Sequence, residues 1–162
     1  MIARFFLCVL VITIGVSSAH SRVFDTEDQY VTAYGPNINK GAPAPPPFKF
    51  ALFLKKQIRI LVLFESLVSQ GEIIVKQKSR FTEADVTGML AANQGSSSWK
   101  KENVETTKDP NVAQMSAWSR KDGKLFAGFF PNASPPFLMI GTRRGADFLI
   151  KQKDNLSSYV KQ

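Results

Sequence analysis

The chain has 162 residues, with 21 Lys or Arg against 13 Asp or Glu, a net charge of +8. It holds one cysteine, Cys8, and one histidine, His20, both within the first 20 positions. Residues 21–162 therefore cannot build a Ser-His-Asp or Cys-His nucleophile, a Cys/His zinc site, a cysteine-attached haem or an internal disulfide.

Residues 1–19 have the order of a secretory signal peptide: Arg4 for charge, an apolar run over 5–16, and small residues at Ser17-Ser18-Ala19. The run is shorter than the roughly 20 residues that span a bilayer, and a retained anchor is the alternative. Cys8 sits inside the run, so a lipid-anchored cysteine is not expected. Cleavage after Ala19 leaves 143 residues with 20 basic against 13 acidic side chains, net +7. That length supports a core without disulfides. The expected localisation is exported, periplasmic or secreted, and the absence of cysteine favours a bacterial envelope.

Residues 20–47 are read as an N-terminal helix and a proline-rich linker. Asp25 to Tyr34 forms the helix: Thr26 and Gln29 have capping-box spacing, and Glu27 and Asp28 suit the positive end of the dipole. Gly35-Pro36 stops it. Pro43, Pro45, Pro46 and Pro47 favour an extended spacer. Residues 48–154 are read as an α+β domain. Phe48, Phe50, Leu52 and Leu54 alternate on one strand, and Ile58, Ile60, Val62 and Phe64 on the next. Lys55-Lys56 reads as a turn or as the middle of one long strand. Ser69-Gln70-Gly71 reads as a second turn, before a strand with Ile73 and Val75. Phe53, Leu61 and Leu63 supply the other face, so the sheet is expected to be covered on both sides.

Thr82 to Asn93 is the strongest helix, with Thr82 and Asp85 at its start and Val86, Met89 and Leu90 as its buried stripe. Asn93-Gln94-Gly95 ends it. Gly95 to Ser98 is read as flexible, followed by Trp99, Lys100-Lys101 and a polar loop to Pro110. Met115 to Arg120 and Leu125 to Phe130 read as a hairpin whose Asp122-Gly123 supplies a type I′ turn. Phe137 to Ile140 reads as a further strand and Thr142 onward as a last helix. Residues 155–162 are read as a tail. The fold class is thus α+β: an antiparallel sheet packed by two to three short helices. A divergent α-β-β-β duplication and a chance likeness of two capped helices both fit, with starts at Thr26 and Thr82.

Thr82-Glu83-Ala84-Asp85, Leu90-Ala91-Ala92-Asn93, Gly95-Ser96, Trp99-Lys100 and Trp118-Ser119-Arg120-Lys121-Asp122-Gly123-Lys124 together resemble a set of uncharacterised small exported bacterial proteins with a Trp-x-Arg-x-Asp-Gly-Lys hairpin. The resemblance covers about 45 residues and implies export and an α+β domain. In layout, the helix from Thr26 to Tyr34 followed by Gly35-Pro36 is similar to the β-lactamase-inhibitor-protein fold and the small lipoproteins of outer-membrane assembly. The chain departs from those in lacking a lipobox cysteine and a disulfide pair.

No phosphate-binding glycine loop is present. Gly141 to Gly145 reads as an anion cradle at a helix start or as a strand-to-helix turn with exposed arginines. Asp25, Glu27, Asp28, Glu83 and Asp85 sit in first helical turns, where the dipole accounts for them. Glu65 reads as a solvated strand end or a buried acid. No catalytic, cofactor or metal residue is assigned. Lys76, Lys78 and Arg80 alternate, so a continued strand would carry them as a positive stripe. Trp118 reads as core, whereas Trp99 reads as core or as an exposed anchor beside Lys100 and Lys101. Together with Arg143 and Arg144, these cations and Trp99 are the candidate binding residues. The expected function is an exported non-enzymatic binding protein whose basic surface recognises an anionic polymer, a lipid headgroup or an acidic envelope protein. Nucleic acid is not its physiological partner, and no span crosses a membrane after signal cleavage. The alternatives are a carboxylate-dependent hydrolase of a wall polymer and a purely structural protein.

Overall fold

The computed structural model describes residues 22–38, 44–103 and 115–161. The expected signal peptide, residues 39–43 of the linker and residues 104–114 of the polar loop lie outside the described residues. The elements run α1 (Glu27–Tyr34), β1 (Phe48–Lys55), β2 (Ile58–Glu65), β3 (Val68–Lys76), α2 (Glu83–Ala92), β4 (Trp99–Glu102), β5 (Ser116–Arg120), β6 (Phe126–Phe130), β7 (Phe137–Gly141) and α3 (Arg143–Lys161). One seven-stranded antiparallel sheet has the order β1-β2-β3-β7-β6-β5-β4. The α+β class read from the sequence is the class observed.

Alternation along the strands divides the side chains into two cores, as period-two geometry requires. On one face Tyr30, Tyr34, Val86, Met89 and Leu90 from α1 and α2 pack on Phe53, Ile60, Val62, Phe64, Ile74, Leu138 and Ile140. On the other, Ala146, Leu149 and Leu156 of α3 pack on Phe50, Leu61, Leu63, Ile73, Val75 and Met139. The central strands are buried on both faces, which explains the near-continuous apolar run of β2. The N-terminal helix shares its core with the strands beyond the proline segment. The expected capping box of Thr26 with Gln29 forms, and Thr82 and Asp85, read as the start of α2, form a second one.

Several expectations need correction. Trp99–Glu102 is a strand, not a loop, because it pairs with Ala117–Arg120 at the sheet edge. The β2–β3 turn falls at Ser66-Leu67, since Glu65 pairs with Val68, and Ser69 to Gly71 lies inside β3 next to a register shift. Of the two readings of Lys55-Lys56, the turn is the one observed, in a hairpin where Lys55 pairs with Ile58. The Asp122-Gly123 turn is not type I′. Gly123 has φ 71° and donates its N–H to the Arg120 carbonyl, while Asp122 is absent from the left-handed region. Four residues, 121–124, span the Arg120–Leu125 bond, a loop length built around a type I turn. Residues 155–161 continue α3 rather than forming a tail, and at 19 residues this helix is not short.

Candidate functional site

The sheet register decides which of the candidate residues come together. Lys76 closes β3 opposite Ile58, which is itself paired with Lys55. Two strand spacings, about 10 Å, therefore separate the backbones of Lys55 and Lys76. Beyond Lys76 the strand stops, so the alternating stripe over Lys76, Lys78 and Arg80 is not formed. Gln77 N–H makes the last bond to the β1–β2 hairpin at the Gln57 carbonyl, and Ser79 N–H turns back to the Gln77 carbonyl. Lys78 takes a left-handed φ of 62° at this bend. The result is a rim at one end of the sheet, to which the β1–β2 hairpin brings Lys55 and Lys56, the end of β3 brings Lys76, and the β3–α2 connection brings Lys78 and Arg80.

Two of these cations are engaged. Lys76 Nζ pairs with Asp85 Oδ2 at 2.8 Å, and Lys55 Nζ donates to the Ala33 carbonyl in the last turn of α1. Lys55 also lies 5.8 Å from the centre of the Tyr34 ring. The Lys76 ammonium, with the Thr82 amide behind it, holds the Asp85 carboxyl down at about 2. Lys56, Lys78 and Arg80 are exposed and form no ion pair among the described residues. Lys56 has φ 55° at the first central position of a two-residue hairpin, a place that glycine usually fills. Both turns of the rim thus carry a lysine where the backbone favours glycine. Backbone strain of this kind concentrates at functional positions.

The other candidates lie elsewhere. Gly71 pairs with Gly141, so Arg143 and Arg144 leave the sheet at the opposite end of β3, about 17 Å along the strand from Lys76. Arg144 pairs with Glu65 at 2.8 Å and lies over the Phe48 ring. Arg143 lies over Phe126, and Thr142 Oγ1 accepts the Gly145 N–H as a helix cap. That is the strand-to-helix turn with exposed arginines. Trp99 is half-buried on the core and donates Nε1–H to the Leu90 carbonyl at 2.7 Å, so it closes the end of α2 rather than acting as an exposed anchor. Lys100 pairs with Glu102, and Lys101 lies over Trp118, which packs against the same core. Three strands, β7, β6 and β5, lie between β3 and β4, so these residues share no surface with the rim.

The described acids are mostly spoken for by caps and ion pairs. Glu65 is neither solvated nor sealed but holds Arg144. The exception is Glu72, which sequence reasoning missed. It is 1 % exposed, on the α1–α2 side of β3. Tyr30 O–H donates to its Oε2 at 3.1 Å and Asn93 Nδ2–H to its Oε1 at 3.1 Å. Burial pushes its carboxyl up to about 7, although the bonds from Asn93 and Tyr30 pull the other way. The same burial raises the Tyr30 hydroxyl well above its ordinary value. The available sequence signal was Asn93, one helical turn beyond Met89 and Leu90, which marked a polar side chain aimed at the core. Sealed under α1 and α2, Glu72 reaches no cleft in which a substrate could meet it.

No family model matches the chain, and no curated protein or solved structure matches it. Among the described residues no helix is long and apolar enough to cross a membrane, and no cluster of three or more His, Cys, Asp or Glu could hold a metal ion.

Proposed function

We propose that this is an exported, non-enzymatic binding protein that holds an anionic partner against the rim formed by Lys55, Lys56, Lys76, Lys78 and Arg80. The observation that carries the reading is the meeting of two lysine-bearing turns, both in left-handed backbone, at one end of the sheet. Cations held on short turns of a rigid sheet cannot scatter, so their potentials add at the rim surface. The net charge favours the same sign of partner. In the exported setting expected from residues 1–19, that partner is an anionic polymer, headgroup or acidic protein of the envelope or extracellular space. Arg143, Arg144, Trp99, Lys100 and Lys101 are left out of this site, because they lie elsewhere on the fold.

The test compares the mature chain with the triple variant Lys56→Glu, Lys78→Glu, Arg80→Glu on a sulfated polysaccharide matrix and on anionic against zwitterionic vesicles. Wild type should be retained on the anionic supports and released by salt, as screening requires. The variant should keep its circular dichroism and elute earlier. Equal elution of the two proteins, or no salt-sensitive retention on any support, would sink the proposal.

A further inference from the structure

Glu72 sits where three parts of the N-terminal half meet. From the segment ahead of α1, Val23 N–H donates to Asn93 Oδ1 at 2.8 Å and Phe24 N–H donates to Ser69 Oγ at 2.9 Å. Tyr30, wholly buried, brings its hydroxyl between Glu72 Oε2 and Ser69 Oγ, at 3.1 and 3.4 Å. Asn93 caps α2 and reaches Glu72 with its amide. Towards an ionised Glu72 the Tyr30 O–H donates; protonation of the carboxyl reverses that bond, so that Glu72 donates to Tyr30 Oη, Tyr30 turns its hydrogen to Ser69 Oγ, and Ser69 donates to the Arg22 carbonyl at 3.3 Å. Every hydroxyl hydrogen then has an acceptor, as a buried polar cluster requires.

Among the described residues, an ionised Glu72 has no cation to meet it. From β2 and β7, its paired neighbours are Val62 and Ile140. From α2, it faces the neutral Asn93, whose amide also donates to the Met89 carbonyl. From the N-terminal side it faces Tyr30 and the negative Asp25, which opposes a second charge. Arg120 of β5 reaches the far side of Asn93, at its carbonyl oxygen. A buried carboxylate without a partner cation is strongly disfavoured, and relief comes from letting water in. The cover over Glu72 is the 22–34 segment, which is tied down through Val23, Phe24 and Tyr30. The same segment ends on the rim, where the Ala33 carbonyl and the Tyr34 ring hold Lys55.

We propose that protonation of Glu72 latches residues 22–34 onto the sheet, and that its ionisation loosens them and frees Lys55, so that the basic rim binds anions better in mildly alkaline than in acidic solution. The second half rests on the reading of the rim given above. The chain suits such a device because its one histidine, His20, precedes the described fold, leaving few other groups to titrate between pH 5 and 8.

The latch is tested by amide hydrogen exchange at Val23, Phe24 and Tyr30 of the mature chain, corrected for intrinsic rates, with Leu61 and Leu63 in central β2 as reference. An open carboxyl titrates near 4.5 and the closed one near 7. The opening equilibrium should therefore rise roughly 70-fold from pH 5 to pH 8. In Glu72→Gln, which keeps the shape and a donor, it should stay flat. Isotope-edited infrared spectra of the wild type should lose a protonated carboxyl band near pH 7, a readout that needs no variant. In parallel, wild type should elute from the sulfated matrix at higher salt at pH 8 than at pH 5.5, and Lys55→Gln should lose that difference. Flat wild-type exchange, or a pH response that persists in Glu72→Gln, overturns the latch. The expected exchange with unchanged elution overturns its link to the rim. Loss of retention at every pH instead overturns the reading of the rim, and the exchange result stands apart from it.

Discussion

Replacing the two left-handed lysines by glycine separates stability from binding. Lys56 and Lys78 hold φ values of 55° and 62°. A side chain in this region costs about 1–2 kcal/mol through the contact of its Cβ with the backbone. Glycine removes that contact but gives the unfolded chain more freedom, a loss of about 0.5–1 kcal/mol. Lys56→Gly and Lys78→Gly should each stabilise the fold by about 0.5–1 kcal/mol, and the double variant by about 1–2 kcal/mol if the two turns act independently. With a urea slope of about 2 kcal/mol per molar, the double variant's midpoint should rise by roughly 0.5–1 M. The same variant should leave the anionic matrix at lower salt. Ser66 provides the control, with φ 59° in the Ser66-Leu67 turn at the other end of the sheet. Ser66→Gly should stabilise comparably and leave elution unchanged. A double variant less stable than wild type would refute the strain argument. A stabilised variant with undiminished retention would show that these lysines do not serve the rim.

Asp85→Ala removes the reciprocal half of the α2 capping box and the partner of Lys76, and should cost about 1–1.5 kcal/mol at pH 7. The Asp85 carboxyl titrates below its ordinary value of 3.8, so its contribution is fully present above that pH and fades as the pH falls toward about 2. Urea melts should accordingly show the wild-type advantage shrinking between pH 4 and 2, and the freed Lys76 should delay salt elution at pH 7. At Gly145 an added Cβ would lie 2.1 Å from the Gln70 carbonyl oxygen, a backbone atom that cannot swing aside. Gly145→Ala should destabilise by about 3 kcal/mol or more as α3 is pushed off the sheet. Gly88, in the middle of α2, has open space around it, and Gly88→Ala should stabilise by about 0.5–1 kcal/mol in the same assay.

Much of the fold was legible because local signals agreed with one another. Alternation in β1 and β2, the Thr26 box, the Thr82 helix start and the Val86–Met89–Leu90 stripe are short-range patterns whose physics acts within a few residues. The misread places depended on pairing. Trp99–Glu102 has the polar composition of a loop and became a strand because β5 offered it an edge. Ser69-Gln70-Gly71 has the composition of a turn, yet the chain turned earlier at Ser66-Leu67. The candidate site divided in the same way. Composition showed an excess of cations and named Lys76, Lys78 and Arg80, but their expected spacing on a continued strand failed when β3 ended.

By itself the sequence determined the α+β class, the exclusion of cysteine and histidine chemistry after position 20, and the basic excess. Those follow from counts and from periodicities that no distant contact can alter. Tertiary structure decided which cations become neighbours. The antiparallel register brought the Lys55-Lys56 hairpin and the segment carrying Lys76, Lys78 and Arg80 to one end of the sheet, while three intervening strands removed Lys100 and Lys101 and the length of β3 removed Arg143 and Arg144. It also decided that Glu72 is sealed beneath Tyr30 and Asn93. The register of β3 and the docking of α1 and α2 set that burial, and residues 30, 72 and 93 meet only when all three elements have closed on the sheet.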